Sequence, residues 1–387
     1  MTGFRIPFFR PSVGEGEIAA VTECLRSGWL TTGPNVNALE SELAAYCGAP
    51  HVNAVNSATA ALHLALAAWD LQPGDEVITT PYTFAATATT IIHAGGTPVF
   101  ADVRDADANI DPEAIERAIT PRTRAIVPVH FAGEPCDMDA INDIARRHNL
   151  RVLEDAAHAI GTMYRGRMVG PLRDAAAFSF YATKNITTAE GGALATADPE
   201  LSERVRRLTL HGMSKDAWKR YDAGGSWRYD IVEFGFKDNL THIPAALGRQ
   251  QPQRLETVIE QRPRVAQRYF ANLRDEEALI LPGFNEANRH CWHLFMIRVR
   301  NGVSAVPRDE VIRQLNERGI QTSVHFIPLH SFTAYQKLGR WQWGDFPVAE
   351  GIFEGAISLP MFPDLEDAQV DEVCQALREI VRGTAGR

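Results

Sequence analysis

What most constrains this chain is a rhythm. Over roughly 200 residues, short apolar runs of strand length alternate with amphipathic stretches of helix length. VNAVNS precedes a helix expected from about Ala58, EVITTP one from about Phe84, and PVFADV one that Asp111 caps with Pro112 at its first position. AIVPVH, RVLEDAA, AAAFSF and GGALATA continue the series. Parallel strands need long crossovers and helices usually supply them, so the rhythm predicts an α/β fold with a mainly parallel sheet covered on both faces. Ahead of it, Ser12 to Glu15 reads as a capping box, and Ile18, Val21, Thr22 and Leu25 recur at helical spacing up to a stop at Gly28.

After about residue 244 the pattern changes. A long helical stretch carries Arg249, Arg254, Arg262, Arg264, Arg268 and Arg274, and is followed by a strand-like HLFMIRV, a helix, and QTSVHF as a strand end. At 387 residues there is room for two domains. The break divides the chain into a large domain over 1–244, N-terminal segment included, and a hinge helix with a smaller α+β domain over 245–387. Only Tyr269 and Phe270, near its end, fall within the run, so the arginines read as a solvated helix face and not as a nucleic-acid stripe. The last helix, expected from about Asp367 to Arg382, sets Val370, Val373, Leu377, Ile380 and Val381 on one side for core packing.

Lysine and arginine number 39 against 48 aspartates and glutamates, a net charge of −9. That balance opposes a nucleic-acid or anionic-membrane partner, while a small anion held by local charge remains compatible. The five cysteines are scattered without a C-x-x-C pair, which fits a reducing cytoplasm better than a disulfide framework or a zinc site. Arginine, proline and glutamate interrupt the N-terminal stretch where a signal peptide needs an apolar run, and no window reaches the ~18 apolar residues of a membrane span. There is no G-x-x-x-x-G-K-[ST], G-x-G-x-x-G, G-x-S-x-G or H-E-x-x-H. His325 and His330 do not share a helix face, and no metal site is expected.

The chemistry on offer lies at strand ends, where open α/β sheets bind ligands. In NAVNSATAALHLAL a strand gives way at Asn56 to a helix opening with Ser57, Ala58 and Thr59, whose free amides and dipole suit a phosphate; read alone, Ser57 is also an ordinary N-cap. In RVLEDAAHA a strand ends in Glu154 and Asp155, with His158 just beyond; read alone, such an acid also serves to cap a turn. In AAAFSFYATKNITTAEGG, Ser179 and Lys184 follow a further strand, although a single lysine there is commonly a surface residue. Together they supply a phosphate anchor, a pyridinium partner and a Schiff-base nucleophile, the three parts needed to hold pyridoxal 5'-phosphate.

SGWLTTGP, NSATAALHLAL, GDEVITTPYTF, EDAAHAIGT, FSFYATKNITTAEGG and DNLTHI stand in the order and approximate spacing of the DegT/DnrJ/EryC1/StrS sugar aminotransferases, which the chain resembles from about Ile6 to its C-terminus. The resemblance implies a pyridoxal-phosphate transferase of fold type I. It implies that Lys184 carries the cofactor and serves as catalytic base, that Asp155 faces the pyridine nitrogen, and that Ser179 binds the phosphate with Ser57, Ala58 and Thr59. Phe84 takes the place of the residue stacked on the ring, and His158 lies near the phenolic oxygen. Asn239 is expected to reach the phosphate from the neighbouring subunit of a homodimer with shared active sites. His325, Trp29 and Thr31 fall where the family lines its sugar site; unaided, His325 reads as a core histidine and Trp29 as a packing residue. Residues 212 to 236 read as a long loop over the nucleotide, with Arg228 or Lys219 near the diphosphate.

The activity so implied is transfer of an amino group from an amino acid, glutamate in the first place, to the C4 keto group of a nucleotide-linked sugar. C4 is inferred from Ala189 and Glu190 ahead of the glycine pair, where relatives working at C3 more often show Gly-Asp-Gly. The alternatives are amination at C3, a sugar dehydratase, which Lys184 disfavours because such relatives carry histidine there, and a cofactor-binding regulator without turnover.

Overall fold

Two faces of one sheet organise the chain. The computed structural model describes residues 3–214 and 229–384. In chain order the elements are α1 (Glu15–Ser27), α2 (Pro34–Cys47), β1 (His51–Val55), α3 (Ala58–Ala68), β2 (Glu76–Thr79), α4 (Ala85–His93), β3 (Thr97–Phe100), α5 (Pro112–Ala118), β4 (Thr123–Ile126), α6 (Met138–Arg147) and β5 (Arg151–Asp155). A short hairpin of β6 (Met163–Tyr164) and β7 (Arg167–Met168) follows, then β8 (Ala175–Ser179), β9 (Gly192–Thr196), α7 (Pro199–Leu208), α8 (His242–Arg249) and α9 (Pro252–Leu273). The rest comprises β10 (Leu279–Ile280), β11 (Phe295–Val299), α10 (Arg308–Glu317), α11 (Thr333–Gln336), α12 (Pro347–Gly355), β12 (Ala356–Leu359) and α13 (Asp367–Val381).

The main sheet has seven strands in the order β1-β9-β8-β5-β4-β2-β3. All run parallel except β9, which lies antiparallel between β1 and β8. Successive side chains of a strand point to opposite faces. Ile78, Ile126, Val152 and Ala176 accordingly enter one core, while Val77, Ala125, Leu153 and Ala175 enter the core on the other side. Both faces being covered, the strands read as unbroken apolar runs. Helix α3 is buried along most of its length, which explains why its sequence is apolar nearly all round.

A separate core gathers α9, β11, β12 and α13, with Val370, Val373, Leu377, Ile380 and Val381 all inside it as their spacing predicts. Ile6 is buried there too, paired with Ile320 through backbone bonds to Gly319 and Gln321. This pairing brings the following residues, Phe8 and Phe9, to the cavity described below.

Three local expectations are corrected. Helix α1 begins at Glu15 behind Gly14, whose amide donates to Glu17 at 2.9 Å, so the glutamate that closes the box is Glu17 and Ser12 lies outside it. QTSVHF forms no strand and makes only an isolated bridge between Ser323 and Ser358. The arginine run is a solvated face only in part: Arg264, Arg268 and Arg274 pair with Asp367, Asp371 and Asp275 at the surface, whereas Arg249 pairs with Glu42, Arg254 with Glu17, and Arg262 is buried. Carboxylates on α1, α2 and α13 are what a single-helix pattern cannot display.

Candidate active site

The C-terminal ends of β1, β5 and β8 open on one cavity of about 530 Å³. Ser57, Ala58, Thr59, Phe84, Asp155, His158, Ser179, Lys184 and His325 all line it. From β1 the chain turns at Asn56, and the Ser57 hydroxyl caps α3 by accepting from the amide of Ala60 at 3.0 Å. The amides of Ala58 and Thr59 are left for a ligand, since first-turn amides have no partner within the helix. This turn is pressed against β9, where a side chain at Gly192 would place its Cβ 2.5 Å from the Ala58 nitrogen and 2.7 Å from the Phe178 carbonyl oxygen. Only glycine lets the strand approach so closely.

At the end of β5, alternation sends the neighbouring acids to opposite sides. Glu154 points into the core, with its Oε2 3.1 Å from Nε2 of His130 and its Oε1 accepting from the Leu172 amide at 2.6 Å. Asp155 faces the cavity. Its Oδ2 accepts from the Thr87 hydroxyl at 2.7 Å and its Oδ1 from the Ala157 amide at 3.2 Å. Burial raises the Asp155 pKa, opposed by the Thr87 and Ala157 hydrogen bonds and by the Lys184 charge.

Ser179, the last residue of β8, lines the cavity, and a turn closed by the Lys184 amide on the Tyr181 carbonyl at 2.9 Å brings Lys184 back to it. Lys184 is open to the cavity and otherwise enclosed. Burial lowers its pKa to about 8, against the opposing pull of Asp155.

The opposite wall is aromatic. The His158 ring lies 4.4 Å from that of His293, at 39°, and 5.9 Å from Phe326, at 16°. His325 holds the hydroxyl of Ser358 at 2.8 Å through Nδ1 and stacks on Phe8 at 5.7 Å. Burial keeps His158 and His293 far below the usual imidazole range, with Lys184 adding to the effect, and lowers His325 to about 4.

Other expected residues lie elsewhere. Trp29, Thr31 and Asn239 are not in this chain's cavity. Trp29 and Asn239 meet at Thr32, the residue after Thr31, which receives the Trp29 indole N–H through its carbonyl at 3.0 Å and the Asn239 side-chain amide through its hydroxyl at 2.7 Å. Lys219 and Arg228 lie outside the described residues, as does most of the 212–236 stretch. Unforeseen were Thr87, His293, Phe326, Phe8, Phe9 and Tyr181. Of these, only Thr87 left a signal, three positions after Phe84 and so on the same side of α4.

These residues fit pyridoxal phosphate. Asp155 is a buried carboxylate with hydroxyl and amide donors but no ion-pair partner within reach among the described residues, so a protonated ring nitrogen would answer it. Lys184, the only lysine or arginine among the cavity's described residues, stands across the same space from free first-turn amides.

The DegT/DnrJ/EryC1/StrS aminotransferase family model matches residues 11–378. The chain is 50% identical to the spore coat polysaccharide biosynthesis protein SpsC of Bacillus subtilis, over 98% of this chain and 97% of that one. Among solved structures, the PLP form of a putative sugar aminotransferase from Streptococcus pneumoniae is similar with a TM-score of 0.90 at 34% identity, covering 98% of this chain and 99% of that one. PseC of Helicobacter pylori, an aminotransferase involved in the biosynthesis of pseudoaminic acid, is similar with a TM-score of 0.91 at 30% identity, covering 99% and 100%.

Proposed function

The chain belongs to the DegT/DnrJ/EryC1/StrS family and is a pyridoxal-phosphate-dependent sugar aminotransferase of fold type I, and from that premise we propose that it transfers an amino group from glutamate to the C4 keto carbon of a nucleotide-linked sugar. The observation that carries the site assignment is the convergence of Lys184, Asp155 and the first turn of α3 on one cavity from three different strand ends.

When bound, the cofactor supplies an electron-withdrawing ring and an aldehyde carbon that carries the amino group between the two half-reactions. Ser179 and the amides of Ala58 and Thr59 bind its phosphate, with Ser57 holding the turn. Asp155 keeps a proton on the ring nitrogen, and Phe84 packs on the ring. His158 donates to the phenolic oxygen. Lys184 holds the cofactor and moves a proton through Nζ; burial makes a neutral amine accessible near pH 8, as a base requires. His325 faces the sugar.

Trp29, Thr31 and Asn239 serve the site of a partner subunit in a homodimer. The meeting of Trp29 and Asn239 at Thr32, away from this chain's own cavity, supports that assignment. Arg228 or Lys219 is proposed near the diphosphate. We further propose the division into 1–244 and 245–387, and a cytoplasmic location. No helix among the described residues is long and apolar enough to cross a membrane.

C4 is supported by Ala189 and Glu190, of which Glu190 lines the cavity. Moving the ketone to C3 turns the ring and leaves buried polar groups unpaired at about 1 to 3 kcal/mol each. The test measures kcat/KM for matched 4-keto and 3-keto nucleotide sugars with glutamate as donor, and assigns the amine by NMR. A 4-amino product with the 4-keto sugar preferred is expected; a 3-amino product refutes the position.

A further inference from the structure

His293 is buried against His158 by a segment that is unusually constrained. Trp292 adopts φ 50, a left-handed conformation that is costly for a bulky side chain. Its amide donates to Nδ1 of His290 at 2.8 Å, and the two rings stack at 3.9 Å and 10°. Arg262 is 3% exposed and donates through Nη1 to the Trp292 carbonyl at 2.9 Å, reaching the His293 carbonyl at 3.5 Å and that of Met361 at 3.4 Å. The Cys291 thiol donates to the His158 carbonyl at 3.0 Å. Gly133, at φ +100, admits the segment, because a Cβ there would lie 2.5 Å from the Cys291 sulfur and 3.2 Å from the His293 nitrogen.

A strained tryptophan and a buried arginine are an expensive way to fill a core, and strain of this kind collects at functional sites. Its outcome is that His158 is held between the rings of His293 and Phe326. Nδ1 of both histidines is buried without a partner. An unpaired buried N–H is rarer and dearer than an unpaired lone pair, so each ring carries its proton on Nε2.

We propose that His293 is a positioning residue whose ring face fixes the plane of His158, so that His158 presents a steady Nε2 proton to the cofactor. The inference rests on the reading of the cavity as the cofactor site. The titratable and charged groups facing the pair are Lys184, His325 and Arg262, with Cys291 behind and Asp155 on the same cavity. Burial and the Lys184 charge keep both rings neutral, the state in which one ring nitrogen donates and the other does not.

The test follows the visible absorbance of cofactor-loaded protein against pH in wild type, His158→Phe, His293→Ala, His293→Phe and the double variant His158→Phe with His293→Ala. Removing a donor from an anionic oxygen makes the bound chromophore more basic, so His158→Phe raises the midpoint. His293→Ala raises it too, by about 0.3 to 1 pH unit, or ~2- to 10-fold in proton affinity. His293→Phe, which restores a ring face, stays near wild type, and the double variant matches His158→Phe alone. Melting curves confirm that each variant folds. If His158→Phe moves the midpoint while His293→Ala does not, or the double variant adds the two shifts, the pairing is wrong. If His158→Phe leaves the midpoint unmoved, the assignment of His158 fails and the pairing with it. A wild-type protein without a visible band refutes the cofactor reading itself.

Discussion

Thr87 donates its hydroxyl to Oδ2 of Asp155 at 2.7 Å, joining the first turn of α4 to the end of β5, and its own oxygen is 2.9 Å from that of Thr83. A hydrogen bond to a carboxylate stabilises its charged form, so Thr87 counters the burial that raises the Asp155 pKa.

Thr87→Val keeps the shape and deletes the donor. Loss of a hydrogen bond to a buried charge is worth about 1.5 to 3 kcal/mol, so cofactor affinity should fall ~10- to 100-fold. Fluorescence titration of the cofactor-free protein measures this. An unchanged Kd would show that the hydroxyl does not support Asp155.

Burial of Lys184 leaves a signature in the stability of the cofactor-free protein. Its folded pKa is about 8 against an ordinary 10.5, so the unfolded chain binds more protons between those values and stability rises with pH across that window. The destabilisation is full below about pH 8 and gone above about 10.5. Lys184→Met should therefore be more stable than wild type by about 3 kcal/mol at pH 7, with the difference shrinking towards pH 10.5. Urea unfolding at pH 7, 9 and 10.5 tests the trend, and a difference independent of pH contradicts it.

Gly192→Ala forces a methyl group against the backbone of Ser57 and Ala58, which are both 2.5 Å from the new Cβ. The first turn of α3 must shift, at a cost of about 1 to 3 kcal/mol. Both the melting temperature and the affinity for inorganic phosphate or cofactor should drop. Retained affinity would mean that this turn does not cradle the phosphate.

Mixing Asn239→Ala with Lys184→Ala protein should restore activity, because in a dimer with shared sites the two lesions fall in different sites of the hybrid. Absence of recovery, with subunit exchange shown by mass spectrometry, refutes the shared site.

Local rules made part of this protein readable in advance. Ser57 caps α3 and Asp111 caps α5 because a side-chain oxygen satisfies amides two or three residues on, a relation the sequence displays directly. The inward face of α13 was equally plain from its spacing. Asp155 and Lys184 were visible as strand-end groups that together with the α3 turn suit pyridoxal phosphate, and motif order then gave each its expected role. What stayed hidden depends on partners distant in sequence. Nothing in GGALATA says that β9 runs against its neighbours. Arg262 looks like every other arginine of its helix until the carbonyls of Trp292 and Met361 meet it. His293 precedes a strand without any local mark, and its closeness to His158 arises from the folding of segments more than a hundred residues apart.

Covalent trapping of the cofactor tests the role of Lys184 without recourse to activity. Protein loaded with pyridoxal phosphate is reduced with borohydride, digested and mapped by mass spectrometry. The cofactor's mass is expected on the peptide containing Lys184 and absent from Lys184→Ala; an adduct on another lysine, or no adduct in wild type, would show that Lys184 does not carry the cofactor.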